Sequence, residues 1–268
     1  MQRAPTVALC VSPARTAKAS SPEDFQVTAK NILEQHARVL FQFDETNRIT
    51  RINESDPETD APLVFLAFGA GEVLCLYRHD VDEKFVEHFG SEVSKLPTWS
   101  KGQLGSGVFD SLRAVVQQFY GKLEESHGPA FAFPDSARIP LGQDESVIAE
   151  DNAHLLDDTF PYTKSVLSER SPVLALIRDG RAVSACYVAR KFGDAVEAGV
   201  ATLEGFQGQG LAKRAVALWA QTAVDAGLTP LYSTSWSNAA SLRIAKSLGL
   251  IQYADTLAFS VPLDANEN

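Results

Sequence analysis

Residues 204–215 read EGFQGQGLAKRA, with Gly208 and Gly210 two positions apart in a polar stretch that runs into Lys213 and Arg214. Glycine reaches positive φ without steric cost and lets backbone amides approach a ligand closely. The preceding EAGVATLEG (197–205) is extended in character, whereas LAKRAVALWAQTAVDAG (211–227) places Leu211, Ala215, Leu218, Trp219 and Val224 at helical spacing and stops at Gly227. The two glycines therefore stand at a helix N-terminus. Unpaired amides and the helix dipole make such a place suited to an anion, phosphate above all. A Walker loop would need Lys followed by Ser or Thr, and neither follows. A dinucleotide fingerprint would need a small residue at position 213, where Lys213 stands. A tight strand-to-helix turn with no ligand is the plain structural alternative.

The elements that must position this loop are readable around it. Strands are expected near 146–150, at 172–178, 181–189 and 195–203, and then at 230–235 and 251–260. Asp179-Gly180 marks a hairpin between the second and third of these. Helices fit 152–158, 210–226 and 238–248. Upstream, a helix from Pro22 to about Arg38 carries Phe25, Ala29, Ile32, Leu33 and His36 on one face. VLFQFD (39–44) with ITRIN (49–53), and APLVFLAF (61–68) with EVLCLYR (72–78), read as two hairpins, the second turning at Gly69-Ala70-Gly71. Helices follow near 81–95 and 107–120. HGPAFAFPDSARIPLG (127–142) is rich in Pro and Gly, so 124–144 is expected to be a connection between residues 1–123, a smaller α+β region, and residues 145–268.

The 268 residues, 45% hydrophobic and 22% charged, suffice for a sizeable core. A net charge of -10 argues against nucleic acid, which needs clustered Lys and Arg, and favours a cationic partner such as an amine. Cys10, Cys75 and Cys186 are odd in number and widely spaced, without a CxxC, which fits a reducing cytoplasm. No apolar run is long enough for a membrane helix. Ala17-Lys18-Ala19 only faintly imitates a signal cleavage site. The five histidines are scattered and no metal site is expected.

Gln207-Gly208-Gln209-Gly210-Leu211-Ala212 resembles the Q/R-x-x-G-x-G/A signature of the GCN5-related N-acetyltransferases, in the strand-loop-helix setting that family requires. Asn238-Ala239-Ala240-Ser241, opening a helix that ends in Ser247-Leu248-Gly249-Leu250, resembles the family's second segment. The resemblance covers roughly residues 145–260. It implies the family's α/β (α+β) fold, a mixed, mostly antiparallel sheet flanked by helices, here behind an extra N-terminal region. It also implies acetyl-CoA as cosubstrate and no metal. The pyrophosphate would lie on the amides of Gln207, Gly208, Gln209, Gly210, Leu211 and Ala212. Val200, Ala201 and Thr202 would give the pantetheine arm main-chain hydrogen bonds like an added strand, with an amide near Val200 at the thioester oxygen. Asn238 would touch the pantetheine or shape the cleft.

Acyl transfer to an amine needs the amine deprotonated, and the resemblance places a catalytic carboxylate on this strand. Glu197 is the candidate base, with Glu150 and Asp151 as remoter ones; its structural alternative is a partner for Arg190 or Lys191. Where relatives often carry an acid tyrosine, seven residues after the motif asparagine, this chain has Ala245. Ser241, Tyr232 and Tyr253 are the substitutes considered, with helix capping or core packing as their alternative roles. Trp236 could line an acceptor pocket, the Lys213-Arg214 pair could neutralise phosphate, and Cys186 reads as a buried small hydrophobe. The expected activity is transfer of an acetyl group to a primary amine of a small molecule, of a detoxification or antibiotic-resistance type. A catalytically weak acyl-CoA-binding or regulatory module is the alternative. The N-terminal region is expected to bind the acceptor, to be a degenerate second copy of the fold, or to form a homodimer.

Overall fold

The computed structural model describes residues 22–54, 60–69, 71–99, 106–135 and 138–261. Cys10, Ala17-Lys18-Ala19 and Ala70 lie outside these. In chain order the elements are α1 (Pro22–Leu40), β1 (Phe41–Phe43), β2 (Ile49–Ile52), β3 (Val64–Gly69), β4 (Glu72–Tyr77), α2 (Glu83–Val93), α3 (Asp110–Tyr120), β5 (Glu124–Ala132) and β6 (Glu145–Ile148). A 3-10 segment, Glu150–Leu156, then leads to α4 (Pro161–Ser165), α5 (Leu167–Arg170), β7 (Val173–Arg178), β8 (Arg181–Phe192), β9 (Ala195–Thr202), α6 (Leu211–Asp225), β10 (Thr229–Ser233), α7 (Ala239–Ser247) and β11 (Ile251–Ser260).

Nine strands make one sheet, in the order β4-β3-β11-β5-β10-β9-β8-β7-β6, and β1 with β2 form a separate hairpin. Within the large sheet, among the described residues, only β9 and β10 run parallel. Alternation along the strands divides the core. Val64, Leu66 and Phe68 pack with Phe85, Phe89, Phe109 and Phe259 beneath α2 and α3, while Val196 and Phe131 pack with Trp219 and Val216 of α6 on that same side. Phe65 and Ala67 turn the other way, toward Leu33 and Ala37 of α1. The result is a mixed sheet with helices on both faces.

The strand expectations hold closely at both hairpins and throughout 172–260, but the connection at 124–144 does not. Its first nine residues are β5, paired along its whole length with β11 and over Ala130–Ala132 with β10. The N-terminal and C-terminal regions therefore share one sheet, joined where β3 pairs with β11, and β5 lies between β11 and β10. Gly128 and Pro129 disguised it, because both are rare inside strands unless another backbone comes close. Here one does: Thr234 N–H donates to Pro129 O at 3.2 Å, and a Cβ on residue 128 would stand 1.8 Å from Thr234 O. Gly128→Ala must push two backbones apart, so it should cost roughly 3 kcal/mol or more. A urea midpoint within error of the wild type would contradict that packing.

Candidate functional site

β9 and β10 pair only from Ala195 to Glu197 against Thr229 to Leu231. Beyond that point β9 continues along β8 as far as Thr202, whereas β10 turns its ladder to β5. The strands part, and among the described residues the edge of β9 facing β10 is unpaired from Ala198 to Thr202. At the end of that edge lies the loop 207–210. Gly208 and Gly210 hold φ of 76° and 79°, values costly for any residue with a Cβ. Gly210 is the N-cap of α6 and supplies no capping side chain, so no side chain competes for the amides of the first turn.

A cleft of about 540 Å³ runs along this edge onto the loop. Of the expected coenzyme residues, Val200, Thr202, Gln207, Gly208, Gly210, Leu211, Ala212 and Asn238 line it together. Ala201 and Gln209 do not: the Ala201 side chain packs on the opposite face of the sheet, and Gln209 Nε2 donates back to Gly205 O at 3.4 Å. Asn238 Oδ1 accepts from Ser241 N–H at 3.0 Å, capping α7 and fixing the second wall. Two cations line the cleft, Lys213 and Arg243. Arg243 was not singled out in the sequence, yet Ala240, Arg243, Ile244 and Ser247 follow a three-and-four spacing from the cap that marks one helix face. Arg214 leaves the expected pair. It is tied to Glu145 at 2.5 and 2.8 Å and to Pro140 O at 2.9 Å, and Arg214 holds the Glu145 carboxyl below its ordinary range.

Residues 163–258 match the model of the GNAT acetyltransferase family. Through this segment the chain is similar to the GNAT acetyltransferases. Solved structures similar to it include a GCN5-related N-acetyltransferase-like protein from Streptococcus suis, 14% identical, covering 87% of this chain and 99% of the other at a TM-score of 0.46. A GCN5-related N-acetyltransferase from Kribbella flavida is 17% identical, with 88% and 95% covered at 0.44. A protein from Novosphingobium aromaticivorans assigned to the family as an acetyltransferase is 17% identical at 0.42; the match takes in 51% of this chain and 64% of that one. No curated protein matches the chain. In the GNAT segment both signature stretches, 207–212 and 238–241, meet at the one cleft.

The expected catalytic groups fare differently. Glu197, on β9, is 3% exposed and absent from the cleft wall. Its side chain turns to the α1 face, where Arg190 Nη1 donates to it at 3.0 Å, Ser233 Oγ donates to its other oxygen, and His36 Nε2 lies 3.6 Å away. Burial alone would raise its pKa, but His36, Arg190 and Ser233 override that and bring it down to about 2. So held, it is a poor proton acceptor, and the structure assigns it to the interior. Glu150 and Asp151 are exposed at the start of the 3-10 segment and line no part of the cleft.

Ser241 does line the cleft, on the first turn of α7. Tyr232 is buried under that helix, with its hydroxyl 3.5 Å from Ser241 O and its pKa raised by burial. Tyr253 is half-buried, with its hydroxyl enclosed and unpartnered and its pKa pushed well up by desolvation. Ala245 is 1% exposed against the core. Trp236 is kept from the cleft by its bond to Asp255, which accepts from Trp236 Nε1 at 3.1 Å and from Trp99 Nε1 at 2.7 Å. Cys186 is buried, and burial raises its thiol well above the ordinary range. Among the described residues no group of His, Cys, Asp and Glu is placed to hold a metal ion, and no helix is long and apolar enough to cross a membrane.

Proposed function

We propose that the chain binds acetyl-CoA in this cleft and transfers the acetyl group to a primary amine of a small molecule. The observation that carries the reading is the unpaired edge of β9 leading into a glycine loop of uncapped amides, in a segment that matches the GNAT acetyltransferase family. Acetyl-CoA supplies an activated thioester. The amides of Gly208 through Ala212, with Lys213 and Arg243, hold its pyrophosphate, the Gln207 amide being already given to Glu204 O at 3.2 Å; the edge from Val200 to Thr202 offers main-chain hydrogen bonds to the pantetheine. A Val200 amide serves as oxyanion donor, and Ser241 is the hydroxyl best placed to assist the departing group. The net charge of -10 draws a cationic acceptor.

With Glu197 withdrawn, no carboxylate among the described residues lines the cleft. The acceptor's proton must leave to water, so the rate should climb about tenfold per pH unit below the amine's own pKa. Calorimetric titration with acetyl-CoA, followed by free-CoA release across a panel of amines, tests the reading. Saturable binding and release that depends on one amine would uphold it, and absence of acetyl-CoA binding would end it. The buried Glu197 and Ala245 favour a second reading, an acyl-CoA-binding module with little turnover. Tight binding without release for any amine would select it.

A further inference from the structure

A second cleft, of about 220 Å³, lies between the β1–β2 hairpin, α5 and β8. Four cations line it, Arg51, Arg170, Arg190 and Lys191, against two carboxylates, Glu54 and Glu169. In a chain of net charge -10 this surplus runs against the average. Arg190 is committed to Glu54 and Glu197. The other three have no carboxylate partner among the described residues. Arg51 donates to the main-chain oxygen of Glu54 at 2.8 Å, and Arg170 stacks on the rings of Tyr162 and Tyr187 at 5.1 and 4.6 Å.

The backbone builds the site. The ladder between β8 and β9 slips between Val188 and Arg190, leaving Ala189 as an extra residue. Without that bulge Tyr187 and Arg190, three apart, would point to opposite faces. With it they share one: Tyr187 packs over Gly199, whose added Cβ would stand 2.5 Å from the Tyr187 ring, and Arg190 reaches Glu197, two residues back on the same face of β9. That face is opposite α6. Asn53 fastens the hairpin across it, donating to Val39 O at 3.0 Å and Lys191 O at 2.8 Å. Lys191 pairs with Val196, which packs toward α6, so its side chain leaves for the other face; Arg51 and Arg170 remain on a clamped frame, separate from the coenzyme cleft.

We propose that this cleft is a second small-molecule site, which takes a compact oxyanion, carboxylate or phosphoryl, through Arg51 and Arg170. A planar guanidinium braced on two aromatic rings presents its N–H fork to an oxyanion with little entropy left to lose. The proposal stands apart from the acetyl-CoA reading and can fail without it.

The probes are inorganic phosphate and acetate, titrated calorimetrically into the full chain at low ionic strength, with and without saturating CoA. Saturable binding of one of them, unchanged by CoA and weakened about tenfold or more by Arg170→Ala and again by Arg51→Ala, is expected. Tighter phosphate binding would identify a phosphoryl ligand, and tighter acetate binding a carboxylate. No saturable binding of either, equal affinity in the double variant R51A/R170A, or competition by CoA would overturn it. Arg51→Gln, which keeps the stem of an exposed side chain, guards against a folding defect; its unfolding midpoint should match the wild type while its affinity falls.

Discussion

Gly210→Glu should raise the Kd for acetyl-CoA by about 100-fold or more while leaving the fold in place, because it sets a carboxylate where a pyrophosphate must lie. Residue 210 has φ of 79° and caps α6, and a Cβ there meets nothing within 4 Å. A side chain is thus admitted sterically and costs only about 1–2 kcal/mol of left-handed strain. Gly210→Ala separates strain from charge: it should carry the same destabilisation with a much smaller loss of affinity. Lys213→Ala and Arg243→Ala, which remove attraction without adding repulsion, should each fall between, with a salt dependence shallower than the wild type. Calorimetry on all four, beside urea midpoints, reads the series. Undiminished affinity in Gly210→Glu would remove the pyrophosphate from this loop.

What could be read from sequence here was local. The loop 207–210 and the cap Asn238 announce themselves because positive φ and helix capping are decided within a few residues. β5 was hidden because its Gly128 answers to Thr234, more than a hundred residues away. Glu197 shows the same boundary at the site itself. Its place on β9 was legible, and so was the alternative of an ion pair with Arg190. That its face is closed by α1 was not, since His36 lies 161 positions upstream and nothing in the spacing of either residue names the other. Arg214 and Lys213 are adjacent, yet helical geometry sends one to Glu145 and the other to the cleft.

Glu197→Gln should therefore act first on stability and only second on turnover, the reverse of what a catalytic base would show. The carboxylate is buried and bonded by Arg190 and Ser233, with His36 close by, and its pKa falls from the ordinary 4.5 to about 2. That fall is worth roughly 3 kcal/mol to the native state, present above pH 4.5 and lost as pH drops toward 2. Glutamine keeps the shape but leaves Arg190 with Glu54 alone. Loss of about 3 kcal/mol would lower the melting temperature by roughly 6–12 °C in a domain of this size. Because the wild type surrenders the same contribution on protonation, the gap between the two proteins should narrow from pH 7 to pH 3. Urea unfolding at both pH values measures it, alongside amine-dependent CoA release below the variant's melting range. A variant as stable as the wild type but with turnover reduced a hundredfold or more and its low-pH rate selectively lost would restore Glu197 as the base, since a proton acceptor contributes about that much. Retained turnover with the pH-dependent loss of stability would leave the proton to water and make this carboxylate the post that fastens α1 to the sheet.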